Sequence, residues 1–163
     1  MAILRLNFND LFEDEECTVF AIHGVLEQYR LAYLINKQLG ISLKRNLKKD
    51  ISHLGHNTCF DLFDFENVFQ DLNYHLVANI CKVQENQINT KTDLFSLEPN
   101  QNLKTYYLIP ELKKVSYFLK INQTFTTAKQ QVLLKKILEI PQVITAYTVD
   151  VSTLKSKNNL IFD

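Results

Sequence analysis

A β-rich run ends abruptly at Pro110, and this junction constrains the chain more than any other stretch. Leu103 to Ile109, closing with Tyr106, Tyr107, Leu108 and Ile109 in succession, reads as a strand. Proline has no N–H to continue a ladder, yet its fixed φ suits the first turn of a helix. Leu112, Val115, Phe118 and Leu119 then fall on one helical face, which predicts a short helix from Pro110 to about Ile121. In that reading Glu111 interacts favourably with the positive end of the helix. Val115 and Tyr117 supply packing, the Tyr117 hydroxyl being satisfied by a backbone carbonyl.

The remaining elements follow from periodicity. Ile3, Leu4, Leu6 and Phe8 predict an opening strand, joined across an acidic loop (Asp10 and Glu13 to Glu16) to a second at Thr18–Ile22, the two forming a hairpin. A helix from Val25 carries Val25, Tyr29, Ala32, Tyr33, Asn36 and Leu39 on its inward face and stops at Gly40. Residues 41–58 read as a connection. Phe60–Phe65 and the longer Leu72–Val83 read as an antiparallel pair of strands. Thr127 and Gln130 have capping-box spacing and open a second helix, with Val132, Leu133, Ile137 and Ile140 inward and Pro141 beyond its end. Val143–Val151 and Leu160–Phe162 complete the set as strands, with a turn from Ser152 to Asn159 between them.

This order of elements predicts an α+β fold: a mainly antiparallel sheet with two or three helices packed on one face. Two small βα halves sharing a core are the alternative arrangement. Residues 1–163 suit a single domain, long enough to bury about two-thirds of the unfolded surface without disulfides or metals. Lys plus Arg equals Asp plus Glu at 18 each, so no global field favours nucleic acid or an anionic membrane. Cys17, Cys59 and Cys81 form an odd set without C-x-x-C spacing, which argues for free thiols and a reducing, cytoplasmic setting. The N-terminus lacks the pattern of a secretory leader, and no apolar run approaches the ~20 residues that span a bilayer.

Ile109, Pro110, Glu111, Val115 and Tyr117 stand in the spacing of a named signature, and the chain resembles the bacterial IPExxxVDY family on those positions. That family is uncharacterised, so the resemblance implies no activity, cofactor or partner. The signature has Asp where this chain has Ser116, which removes the second acid of any two-carboxylate mechanism carried by the motif. The segment from Thr127 to Phe162 also looks like part of a small ferredoxin- or ACT-type layer, a kind of unit that often pairs or holds small effectors. The Gly-rich effector loop of ACT-like sites is missing.

Other constellations carry little chemistry. His53, His56 and Cys59 have H-x-x-H-x-x-C spacing, with His75 and Cys81 further on, but no second block supplies a fourth zinc ligand, and no metal or other cofactor is expected. Gly24, Gly40 and Gly55 are isolated, so no phosphate-cradling loop is expected, and no nucleophile motif is present. Lys44, Arg45, Lys48 and Lys49 form one basic group without interleaved aromatics, which reads as a solvated face before it reads as an RNA contact. The sequence therefore points to a non-enzymatic protein-interaction or adaptor domain. Its expected partner is another protein or a second copy, with a small-ligand-sensing or RNA-associated module as the alternative.

Overall fold

The computed structural model describes residues 16–52, 58–85 and 102–162. Among them lie β1 (Thr18–Gly24), α1 (Gln28–Leu39), β2 (Lys44–Arg45), β3 (Leu62–Asn67), β4 (Leu72–Ala78), β5 (Ile80–Glu85), β6 (Asn102–Tyr107), β7 (Tyr117–Ile121), α2 (Thr127–Leu138) and β8 (Val143–Val149). A six-stranded sheet has the order β2-β3-β4-β7-β1-β8, and β5 pairs with β6 in a separate two-stranded sheet. The α+β class and the mainly antiparallel sheet are as expected.

The core of the sheet is built from two interleaved β-α-β units. β1 and β4 both run antiparallel to β7, so they are parallel to each other with β7 between them, and α1 lies on the path from one to the other. β7 and β8 both run antiparallel to β1, and α2 joins them. This double split β-α-β arrangement is the connectivity of ferredoxin-like layers, extended here past β4 by β3 and β2. The two halves interdigitate instead of sitting side by side.

Strand alternation separates two apolar faces. Phe20, Ile22, Tyr74, Leu76, Leu119 and Ile121 pack beneath both helices, against Leu31, Ala32 and Ile35 of α1 and Ile137 of α2. Val19, Ala21, Val77 and Phe118 point the other way, under Leu108, Ile109, Val115, Leu154 and Leu160. One face is thus covered by helices and the other by irregular chain.

α1 ends as anticipated: Gly40 adopts φ 68° and its N–H donates to the Asn36 carbonyl. Its inward face is different from the expected one. Leu31, Ala32 and Ile35 are buried, Ala32 as expected, whereas Tyr29 and Tyr33 are 61% and 68% exposed, and Val25, 76% exposed, precedes the helix, which starts at Gln28. Both sets share helical spacing, so periodicity cannot choose between them. In α2 the cap is Thr126, one residue before the expected Thr127, and its hydroxyl accepts from Lys129 N–H. Gln130 Nε2 donates back to the Phe125 carbonyl, and Val132 faces solvent instead of the core.

Four further expectations are corrected. Both edges of β1 are occupied, by β7 and β8, so Thr18–Ile22 has no edge for an N-terminal hairpin partner; residues 3–8 lie outside the described part. The connection over 41–58 contains the short strand β2 and a 3-10 turn at Leu47–Lys49. Leu160–Phe162 is no strand, because a 3-10 turn occupies Lys157–Leu160. The run Leu72–Val83 is two strands in two sheets, divided at Asn79.

Asn79 explains that division and also the failure of the Pro110–Ile121 helix. It is fully buried. Its side-chain carbonyl accepts from Ile109 N–H at 2.8 Å, and its amide donates to the carbonyls of Leu112 and Val115, both at 2.9 Å. Its own N–H donates to the Ser116 carbonyl and its carbonyl accepts from Leu108 N–H. A helix would have joined the Leu112 carbonyl to the Ser116 N–H. Instead that N–H donates to Ile22 across the sheet, and the chain makes only a 3-10 turn at Pro110–Leu112 before entering central strand β7. Tyr117 to Ile121 then alternate between the two faces as a strand requires. Replacement of Asn79 by Ala removes three side-chain bonds in a buried site and deprives Ile109 N–H and the Val115 carbonyl of their partners. Urea denaturation of Asn79→Ala is expected to show a loss of about 3 kcal/mol or more, far beyond an exposed Asn→Ala change.

Candidate functional site

The signature residues are brought together, and their polar groups are engaged within the chain. Pro110 occupies the first turn, where its missing N–H costs nothing, and Ile109 and Val115 are buried. Tyr117 Oη donates to the Leu26 carbonyl at 2.8 Å, so the hydroxyl does find a backbone partner. Ser116, at the position of the signature's Asp, donates through Oγ to the Gly24 carbonyl and accepts from Gly24 N–H. A Cβ at Gly24 would stand 2.7 Å from Leu26 Cδ2 and 3.1 Å from the Gln142 carbonyl, so a larger residue there would require both to shift.

Glu111 reaches across to the C-terminal segment. Its carboxylate accepts from Ser156 N–H at 2.8 Å and from Ser156 Oγ at 2.6 Å, and these bonds hold it below the usual carboxylate range. Asn159 Nδ2 donates to the Leu108 carbonyl, and Lys120 Nζ donates to the Leu160 carbonyl. The signature turn and the last described residues thus fasten each other over the second face of the sheet.

Beside this junction a cleft of about 560 Å³ opens between the start of α1 and the departure of β5. Residues Gly24 to Gln28, Ser116 and Tyr117 form one wall, and Cys59, Asp61, Ile80, Cys81 and Lys82 are on the other side. Gln28 spans toward that side by donating through Nε2 to the Asp61 and Leu76 carbonyls. Cys81, Asp61 and Lys82 were not singled out as a group by sequence, because only the β4-to-β5 break brings them to the mouth of the cleft.

Asp50, Cys59 and Asp61 have donor atoms within 4.8 Å of one another, the spacing of a small cation site. A cation is already there in the form of Arg45. Its guanidinium pairs with both Asp50 and Asp61, donates to the Leu62 carbonyl and lies over the Phe63 ring. The bond from Arg45 holds Asp50 below its usual range. Partial burial and the Asp50 carboxylate push the Cys59 thiol up, which disfavours a standing thiolate ligand for a metal. His53 and His56 lie outside the described residues, and His75 stacks on Phe162 beneath the C-terminal segment.

The basic group is divided by the same pairing. Arg45 is committed to carboxylates, while Lys44 and Lys49 border a second hollow that also contains Asp64 and Glu66. This surface carries mixed charge. A phosphate backbone would meet acids between the lysines.

The Glu111 clamp has a defined pH signature. Its folded carboxyl is shifted down from an ordinary value of 4.5, so its contribution is present above that value and is lost as pH falls through the folded one. Glu111→Gln is therefore expected to melt earlier than the wild type at pH 7, and the difference is expected to shrink at pH 3. Paired thermal melts at the two pH values measure it.

No family model matches the chain, and comparison with curated proteins and with solved structures likewise finds no match.

Proposed function

We propose that this chain is a non-enzymatic protein-interaction domain of the IPExxxVDY type, docking through the outer face of α1. The observation that carries the reading is the exposed pair Tyr29 and Tyr33, four residues apart along one side of the helix, with exposed Val25 in the bend that leads into it. Tyrosine offers a large contact area with few torsions to immobilise, and it recurs among the residues that dominate binding energy. Val25 and Gln28, at the entry to the helix, line the cleft, so a partner on α1 meets the cleft's edge as well. The matching partner is a protein that presents an apolar groove to a helix. Among the described residues no helix is long and apolar enough to cross a membrane.

The cleft supports a second reading, a small-ligand-sensing module. Its volume lies within the range of ligand pockets, and Glu27, Asp61 and Lys82 are charged residues in its lining. The RNA-associated reading has no comparable support, given the acids between the lysines.

Crosslinking in native extract, followed by mapping of the linked peptides, tests the first reading. The expected result is a single partner linked to α1 and affinity at least about tenfold weaker in Tyr29→Ser/Tyr33→Ser, with melting temperature unchanged. Equal affinity in that variant overturns docking through α1. A rise in melting temperature with one metabolite, without a protein partner, favours the ligand-sensing reading instead.

A further inference from the structure

Cys59 and Cys81 meet on one side of the cleft although they lie on separate stretches. Cys59 immediately precedes Phe60, which bridges to Ile51 ahead of β3, and Cys81 is the second residue of β5. The Cys59 N–H donates to Cys81 Sγ at 3.4 Å. With an N–Cα bond of about 1.46 Å, the Cys59 α-carbon is then within about 5 Å of that sulfur. Disulfides need β-carbons about 3.8 Å apart, which small adjustment of two segment ends can supply. Both thiols are free, Cys59 is exposed, and Cys81 is partly exposed.

We infer that Cys59 and Cys81 are a modification site: a dithiol that a peroxide converts reversibly to an intramolecular disulfide on the wall of the cleft. The Cys59 thiol now donates to Asp50 Oδ2 at 3.4 Å, and rotation about its Cα–Cβ bond turns the sulfur from Asp50 toward Cys81. The Cys59 S–H is engaged with Asp50, so Cys81 is the sulfur oxidised first. Its thiolate attacks one peroxide oxygen, the O–O bond breaks, and a sulfenic acid forms while the other oxygen leaves as water after protonation. The Cys59 sulfur then attacks the sulfenic sulfur, forming the S–S bond and releasing the second water. Two thiols are oxidised by two electrons in total and one peroxide is reduced to two waters. The bond ties the segment before β3 to the start of β5, closing a span of 22 positions and removing the Cys59–Asp50 contact beside Arg45.

The test uses the whole chain, reduced and then treated with stoichiometric hydrogen peroxide, alkylated and weighed intact. The expected product has lost about 2 Da, retains one alkylatable thiol at Cys17 and yields a linked Cys59–Cys81 peptide, all reversed by dithiothreitol. In Cys59→Ser, whose site is exposed and tolerant, the loss of mass should disappear and a sulfenic acid at Cys81 should be trapped by dimedone. Retention of three alkylatable thiols after oxidation, a bridge to Cys17, or only intermolecular bridges would each overturn the inference.

Discussion

The buried side chain of Asn79 is the constraint around which the rest of the chain is arranged. At this residue the chain leaves the six-stranded sheet for the β5–β6 pair, and beside it the chain returns to begin β7. Irregular backbone in a dry interior exposes N–H and C=O groups that secondary structure would otherwise satisfy. One Asn side chain supplies an acceptor and two donors, and here they meet Ile109, Leu112 and Val115. An apolar residue of the same size would deprive Ile109 N–H and the Val115 carbonyl of these partners and leave the Leu112 carbonyl with Val115 N–H alone. An Asp would lack the two donors.

The same requirement explains the polar fasteners on the second face of the sheet. Helices satisfy their own backbones, so α1 and α2 cover the first face with side chains alone. Short 3-10 turns cannot do this, and the cover over Val19, Ala21, Val77 and Phe118 is made of such turns. Glu111 to Ser156, Asn159 to Leu108 and Lys120 to Leu160 hold it in place. The chemically capable groups of the signature are consumed by this work. Ser116 fits the role better than an acid would, since one hydroxyl both donates to and accepts from the Gly24 backbone.

What could be read from sequence was what local chemistry decides. Gly40 stops α1, α2 starts within a residue of its cap, and alternation identifies β1, β8 and the β3–β4 pair. Pro110 was legible as a stop, but its sequel was not. Leu112, Val115, Phe118 and Leu119 have helical spacing by coincidence, while a hydrogen-bonding side chain more than thirty positions earlier takes the carbonyls that a helix would use. Leu72–Val83 failed for the same reason in reverse, because a polar residue inside an apolar run gave no local sign of burial. The cleft was illegible as a site, since the residues lining it come from four separated stretches.

α1 poses the reverse problem, in which the sequence signal was sound and the packing did not use it. The helix carries apolar or aromatic residues on two sides: Leu31, Ala32 and Ile35 pack against the sheet, while Tyr29 and Tyr33 meet solvent. A helix that only caps a sheet needs one apolar stripe, with polar residues opposite. Isolated exposed apolar residues are ordinary, but two exposed tyrosines one turn apart on the helix form a coherent patch. Polar substitution on that side would leave the Leu31–Ile35 contacts intact, so stability of the fold does not account for it. The second stripe is of the kind a helix presents when something packs on both sides, and that asymmetry between what α1 offers and what the described chain covers is the main physical support for a protein partner.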